Sequence, residues 1–294
     1  MTNTSKHLLV AVTAISVSLS SITANAQTAP PLAPDQITKI VANPDRSAAD
    51  RTNDLRRKPE QMLAFIGIRP GMTALDLSAA GGYTTELLAR AVGPSGAVYG
   101  QSQPRDPNRA PPAAPEGNSN PTTAPATPAP AAQAAAPANA PRPSPVALAE
   151  RDSRLKSAGA DAASIVAVSR PFADPVPPEL ANARIDLVTL MFNYHDLGHM
   201  GVDRGAMNKS VFAALKPGGI YVIADHAGRP GTGISEAGTL HRIEEAFLRQ
   251  EIEAAGFRFL GDAQFLRNPN DPRDKNTPDP PQPKDDFVLK FVKP

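Results

Sequence analysis

The 294-residue sequence predicts an α/β protein with a doubly wound, mostly parallel sheet and a C-terminal antiparallel hairpin. Three observations carry this reading. From residue 59 onward, short apolar runs alternate with segments of helical hydrophobic period. One of these runs, Thr73 to Leu77, leads through the small-residue turn Ser78-Ala79-Ala80-Gly81-Gly82 directly into a helix. The last two apolar runs, Phe257 to Phe265 and Phe287 to Phe291, are joined by a Pro- and Asp-rich loop and read as a long hairpin.

Residues 1 to 26 read as a secretory signal: Lys6 and His7 form a short polar start, Leu8 to Leu19 an apolar core too short to span a bilayer, and Ala24-Asn25-Ala26 a cleavage site. The alternative is a leader that stays attached as an anchor. Cleavage predicts a periplasmic or secreted protein with no stable membrane association. Lys and Arg number 30 against 29 Asp and Glu, and loss of Lys6 with the leader leaves 29 of each. That balance argues against a nucleic-acid groove. The chain has no cysteine, which excludes disulfides and thiolate chemistry.

Residues 27 to 58 form a leader and cap segment. Asp35 to Val41 has room for one or two helical turns. Asn43 to Arg57 is polar and charged; Arg51, Arg56 and Arg57 either face a ligand or make a solvated surface. The domain proper runs from 59 to 294. Pro59 suits the first position of a helix carrying Met62, Leu63, Phe65 and Ile66. Thr84 or Thr85 is placed to cap the helix carrying Leu87, Leu88 and Val92. Ala97 to Gly100 is the second strand.

Residues 102 to 145 hold 13 Pro and 13 Ala among 44 residues, a composition that predicts a disordered insertion. A short helix is expected from Glu150 to Ala158, then strands at Ile165 to Val168 and Ile185 to Met191. Asp203 is placed to cap a helix with Met207, Val211 and Leu215 turned inward. Lys216-Pro217-Gly218-Gly219 ends that helix and starts the fifth strand, Ile220 to Ala224. Gly228 to Gly238 is a glycine-rich loop, and Leu240 to Ala255 reads as one helix.

Open α/β sheets bind ligands beyond the carboxyl ends of their strands, and a helix start behind a glycine turn favours a negatively charged ligand group. The strand–turn–helix at 73 to 86 is therefore the expected site. The turn lacks the G-x-G-x-x-G fingerprint of dinucleotide binding. The chain has no G-x-x-x-x-G-K-[ST] phosphate loop and no G-x-S-x-G nucleophile elbow.

Asp76 lies inside the first strand, ahead of the small-residue run. This pattern resembles the first motif of class I S-adenosylmethionine-dependent methyltransferases. The stretch from Arg57-Lys58-Pro59-Glu60 through Gly100 is similar, more closely still, to a bacterial group of predicted methyltransferases that carry signal peptides. The likeness resumes at Asn193-Tyr194-His195-Asp196, Lys216-Pro217-Gly218-Gly219 and Asp225-His226, and covers most of residues 46 to 100 and 146 to 294.

The resemblance implies a seven-stranded Rossmann-like sheet and S-adenosyl-L-methionine as cofactor. It implies cofactor contacts from Asp76, Ser78, Ala79, Ala80, Gly81, Gly82, Tyr83 and Thr84. Asp174, after the third strand, stands where such folds contact the adenine, and Asn193 joins the cofactor set. An acid usually ends the second strand and holds both ribose hydroxyls; Gln101 stands there instead, a neutral and weaker bidentate acceptor.

His195 and Asp196 are the expected catalytic pair, at the end of the fourth strand, where these enzymes place acceptor-facing groups. An ordinary histidine accepts a proton near neutrality; the alternative is that His195 only hydrogen-bonds backbone at a loop start. His195, Asp196, His199, Asp225 and His226 are also metal-ligand types. Gly198 and Gly201 argue against the helix that would bring His195 and His199 to one face, so no metal is expected. The leading reading is S-adenosylmethionine-dependent methyl transfer to a small-molecule acceptor. The rivals are a non-catalytic binding protein on the same fold, which Gln101 favours, and a metal-dependent hydrolase.

Overall fold

The computed structural model describes Met1 and residues 29–104 and 142–294. Most of the expected signal segment and the body of the Pro/Ala-rich insertion lie outside the described residues. Among the described residues no helix is long and apolar enough to cross a membrane.

Helices α1 (Pro34–Val41), α2 (Ala48–Arg57) and α3 (Pro59–Ile66) precede the sheet. α2 falls in the stretch read only as polar and charged. Its start is signalled by Ser47, whose Oγ accepts from Asp50 N at 3.1 Å, but it has no apolar stripe to announce a helical period. β1 (Thr73–Leu77) and α4 (Tyr83–Val92) flank the small-residue turn, and β2 (Ala97–Ser102) follows. α5 (Ser144–Ser157) starts ahead of the expected Glu150, so regular structure reaches inside both ends of the 102 to 145 stretch.

The chain continues through β3 (Ile165–Ser169), β4 (Ile185–Met191), the short α6 (Tyr194–His199), α7 (Arg204–Ala214) and β5 (Leu215–His226). It ends with the one-turn α8 (Ala237–Leu240), α9 (Glu245–Ala254), β6 (Arg258–Ala263) and β7 (Asp286–Val292).

The seven strands form one sheet in the order β3-β2-β1-β4-β5-β7-β6. The first five are parallel; β7 runs antiparallel between β5 and β6. The predicted mostly parallel sheet with an antiparallel hairpin is therefore the observed one. Period-2 alternation divides the strand side chains between two cores. Leu75, Leu77, Val188, Leu190, Tyr221, Ile223, Phe287 and Phe291 pack with α7 and α9 on one face. Ala74, Leu187, Val222, Ala224 and Val288 pack with α3, α4 and α5 on the other. Burial on both faces explains the near-continuous apolar runs of β4 and β7.

Strand order reverses between β1 and β4, and their carboxyl ends lie side by side there. A doubly wound sheet binds its ligand at such a switch point.

Three local expectations are corrected. The threonines do not cap α4: its N-cap is Gly82, at φ 79°, without a side-chain cap bond. Thr85 Oγ1 instead donates to Asp76 Oδ2 at 2.6 Å. Residues 194 to 199 are helical despite Gly198, which stands where a Cβ would meet Ile234 Cδ1 at 2.5 Å.

The expected helix from Leu240 to Ala255 is broken between α8 and α9. His241 takes the left-handed region at φ 51°, and Ile243 pairs with Ala227 instead of continuing a helix. Arg242 supplies the reason. Its fully buried guanidinium donates to Ala227 O at 3.0 Å and pairs with Asp271 at 2.9 Å, and these tertiary bonds override helical propensity.

Candidate functional site

The turn after β1 adopts the backbone that glycine favours, with other residues at two of its positions. Ser78 and Ala80 have φ of 55° and 46°, and Gly82 follows at 79°. An L-residue in this region costs about 1–2 kcal/mol, so the turn holds this shape against local preference. The glycine requirement falls on Gly82, where a Cβ would meet Leu148 Cδ2 at 2.7 Å and Arg151 Cδ at 2.8 Å. Gly81 needs no special φ, and a Cβ there would enter open space.

Gly81 also borders a cavity of about 180 Å³, lined with it by Asp76, Ser78, Ala79, Ala80, Tyr83 and Thr84. Most of the predicted cofactor residues are thus brought together. The remainder of its wall comes from α2, through Ala49, Asp50, Asn53 and Arg57, from the end of β4, through Met191, and from α5, through Arg151. Arg151 holds the two segments together: it donates to Gly81 O, pairs with Asp50 at 2.7 Å and pairs with Glu86 at 2.6 Å. Tyr83 Oη donates to Asp54 Oδ1 at 2.7 Å, a second tie to α2.

Arg57 also lines a smaller apolar cavity, of about 30 Å³, bounded by Met62, Leu63, Leu87 and Phe192. Its guanidinium lies 3.8 Å from the centroid of the Phe192 ring. Burial, with repulsion from Arg56 added, lowers its pKa to about 9.

Asp76 is buried, and its carboxyl accepts from Thr85 and from Thr189 Oγ1, the latter at 2.8 Å. Burial raises its pKa to about 6 against the pull of these bonds.

Four predicted cofactor residues do not line the cavity: Gly82, which packs against Leu148 and Arg151, and three others. Gln101 is fully buried; its Oε1 accepts from Ser78 N at 3.1 Å and its Nε2 donates to Arg170 O at 2.7 Å. The expected ribose group is therefore a strut that ties the turn to the loop after β3. Asp174 is exposed and paired with Arg170, away from the cavity. Asn193 links two parts of the site: its Oδ1 accepts from Ser78 Oγ at 2.6 Å and its Nδ2 donates to Asp196 Oδ2 at 2.7 Å.

His195 and Asp196 do meet, His195 Nε2 lying 3.2 Å from Asp196 Oδ1. His195 is buried, with its backbone N–H donating to Asp225 Oδ2 at 2.8 Å and its Nδ1 2.6 Å from Asp225 Oδ1. Burial disfavours its charge, but Asp225 and Asp196 together outweigh burial and raise its pKa to about 10. The expectation of a histidine that accepts a proton near neutrality is corrected, since two flanking carboxylates hold the ring as the cation.

His226 differs. Burial lowers its pKa well below the ordinary value, and its Nδ1 faces Asp286 at 2.6 Å, whose own pKa burial raises to about 7. The sequence reading missed His241, whose Nδ1 lies 3.1 Å from the same Asp196 oxygen that faces His195. Only its place in a Leu-His-Arg run was visible, and that run read as helix interior. His199, at 3.9 Å from this oxygen, is more exposed.

No protein-family model matches the sequence, and no curated protein matches it. Solved structures do. An S-adenosylmethionine-dependent methyltransferase from Aquifex aeolicus aligns with a TM-score of 0.50 at 15% identity, covering 90% of this chain and 100% of that one. An arsenic(III) S-adenosylmethionine methyltransferase from Chlamydomonas reinhardtii gives 0.49 at 14% identity over 90% and 74%. An N-methyltransferase from Bradyrhizobium japonicum gives 0.47 at 12% over 85% and 99%. The Aquifex match carries the fold: the seven-stranded sheet is the Rossmann-like sheet of S-adenosylmethionine-dependent methyltransferases.

Proposed function

We propose that this chain binds S-adenosyl-L-methionine in the cavity above Ser78–Gly82 and transfers its methyl group to a small-molecule acceptor. The observation that carries this reading is the left-handed turn at the sheet's switch point, opening onto a cavity where Gly81 leaves room. The residues fit such a cofactor. Asp76, Ser78, Ala79, Ala80, Gly81, Tyr83 and Thr84 would line it, while Gly82, Gln101 and Asn193 hold the turn in shape. Asp174 has no part in the set. When bound, the cofactor supplies an electrophilic methyl group on a sulfonium.

The chain's own contribution is positional. α2 and α5 cover the cavity, and a fixed in-line approach supplies much of the rate of such a transfer. The leader read in residues 1 to 26 supports a periplasmic or secreted location, and the charge balance supports a small-molecule partner rather than a nucleic acid.

Isothermal titration with S-adenosylmethionine tests the reading. Saturable one-site binding is expected for the wild type and its loss in Gly81→Val, with the melting temperature of the variant unchanged. A wild-type protein that gives no binding heat at any cofactor concentration ends this reading.

A further inference from the structure

We propose that His195, Asp196 and His241 form a binding site for one divalent transition-metal ion next to the cofactor cavity. Their ligand atoms lie within 4.8 Å of one another. His195 Nε2 and His241 Nδ1 stand 3.2 and 3.1 Å from Asp196 Oδ1. Metal bonds of about 2.0–2.2 Å in a tetrahedral set separate neighbouring ligand atoms by about 3.4 Å, so these spacings need only small side-chain rotations.

Two of the three ligands have outer partners of the kind a metal site uses. Asp225 takes the Nδ1 side of His195 at 2.6 Å, so an ion would bind at Nε2 by displacing the proton that faces Asp196. Asn193 donates to Asp196 Oδ2 at 2.7 Å, which leaves Oδ1 turned toward the two rings. His241 reaches the cluster only because the chain breaks its helix in the left-handed region at that residue. A simple ion pair accounts for one ring on a carboxylate oxygen. It gives no reason for two rings on the same oxygen, one of them held from behind by Asp225.

Two imidazoles and a carboxylate suit Zn²⁺, Co²⁺ or Fe²⁺ better than the all-oxygen sets of Ca²⁺ and Mg²⁺. Asp196 and His241 are half-buried, so an ion here would keep a face open to a further ligand. The site stands on these residues alone and holds whether or not the chain transfers methyl groups.

The test is titration of chelator-treated full chain with Co²⁺, followed by visible absorption, in the absence of any cofactor. One Co²⁺ per chain is expected, with ligand-field bands that added Zn²⁺ abolishes. His241→Ala and Asp196→Asn should each weaken binding at least about 10- to 100-fold, the loss that even an outer partner causes. His241 lies half-buried between two helices, so its variant should give the circular dichroism spectrum of the wild type. The proposal is overturned by a wild type without saturable Co²⁺ binding, or by His241→Ala and Asp196→Asn binding as tightly as wild type. Loss in His199→Ala with retention in His241→Ala would move the site and overturn the assignment. Failure here leaves cofactor titration unaffected, so the two readings fail separately.

Discussion

Ser78 Oγ donates to Asn193 Oδ1 at 2.6 Å, joining the left-handed turn after β1 to the end of β4. The bond crosses the switch point of the sheet, and Asn193 passes it on to Asp196. The turn after β1 and the histidine cluster are thus two hydrogen bonds apart. Ser78→Ala should lower stability by about 1 kcal/mol, the net worth of one such bond. It should also weaken Co²⁺ binding, although Ser78 touches none of the three proposed ligands. A urea midpoint and a Co²⁺ titration check this; unchanged metal affinity would show that the bridge transmits nothing.

The two glycines of the turn should separate by phenotype. Gly82→Val combines a strained φ with a Cβ placed against Leu148 and Arg151, and should lower the melting temperature by several degrees. Gly81→Val fills open space and should leave melting unchanged while removing the cofactor's room. Paired melting curves and cofactor titrations decide it. Equal loss of stability in both variants would contradict the assignment of the close approach to Gly82.

Asp76 gives a pH signature. Its folded-state pKa is raised to about 6, so the native chain holds this proton more tightly than the unfolded chain does. The associated stability is fully present below pH 4 and is lost as pH rises through about 6. At 1.36 kcal/mol per pKa unit the whole effect is of the order of 3 kcal/mol. Asp76→Asn should flatten the difference between pH 4 and pH 7 relative to wild type. Chemical denaturation at a series of pH values measures it, and parallel curves for the two proteins would refute it.

Asp225 is a positioning residue for the cluster. Its two oxygens accept from His195 N and His226 N and face His195 Nδ1. Asp225→Asn leaves one acceptor oxygen for these donors. It should cost about 1–3 kcal/mol of stability and weaken Co²⁺ binding about 10- to 100-fold. The metal affinity is the informative readout, since a purely structural role would move stability alone.

The sheet was legible because its strands are buried on both faces and read as apolar runs; β1 and β4 fall on the expected residues. The turn was legible from its small residues, although which glycine the fold needs was not. α2 escaped notice because it docks by charge. Arg46 pairs with Asp54 at 2.7 Å and Arg151 with Asp50, and such pairing leaves no apolar period in the sequence. His241 was hidden for a related reason: the helix break depends on Arg242 finding Asp271, far along the chain. Gln101 was placed correctly at its strand end, but only the packed structure shows that both ends of its amide are engaged.

Arg151 ties together two walls of the cavity. It reaches from α5 to Gly81 and to Asp50 of α2, so the roof is fastened by ionic contacts with side chains only 13% and 5% exposed. Parting these walls means separating a guanidinium from a carboxylate that water barely touches. The cavity's shape is therefore set by the chain itself, before any guest arrives.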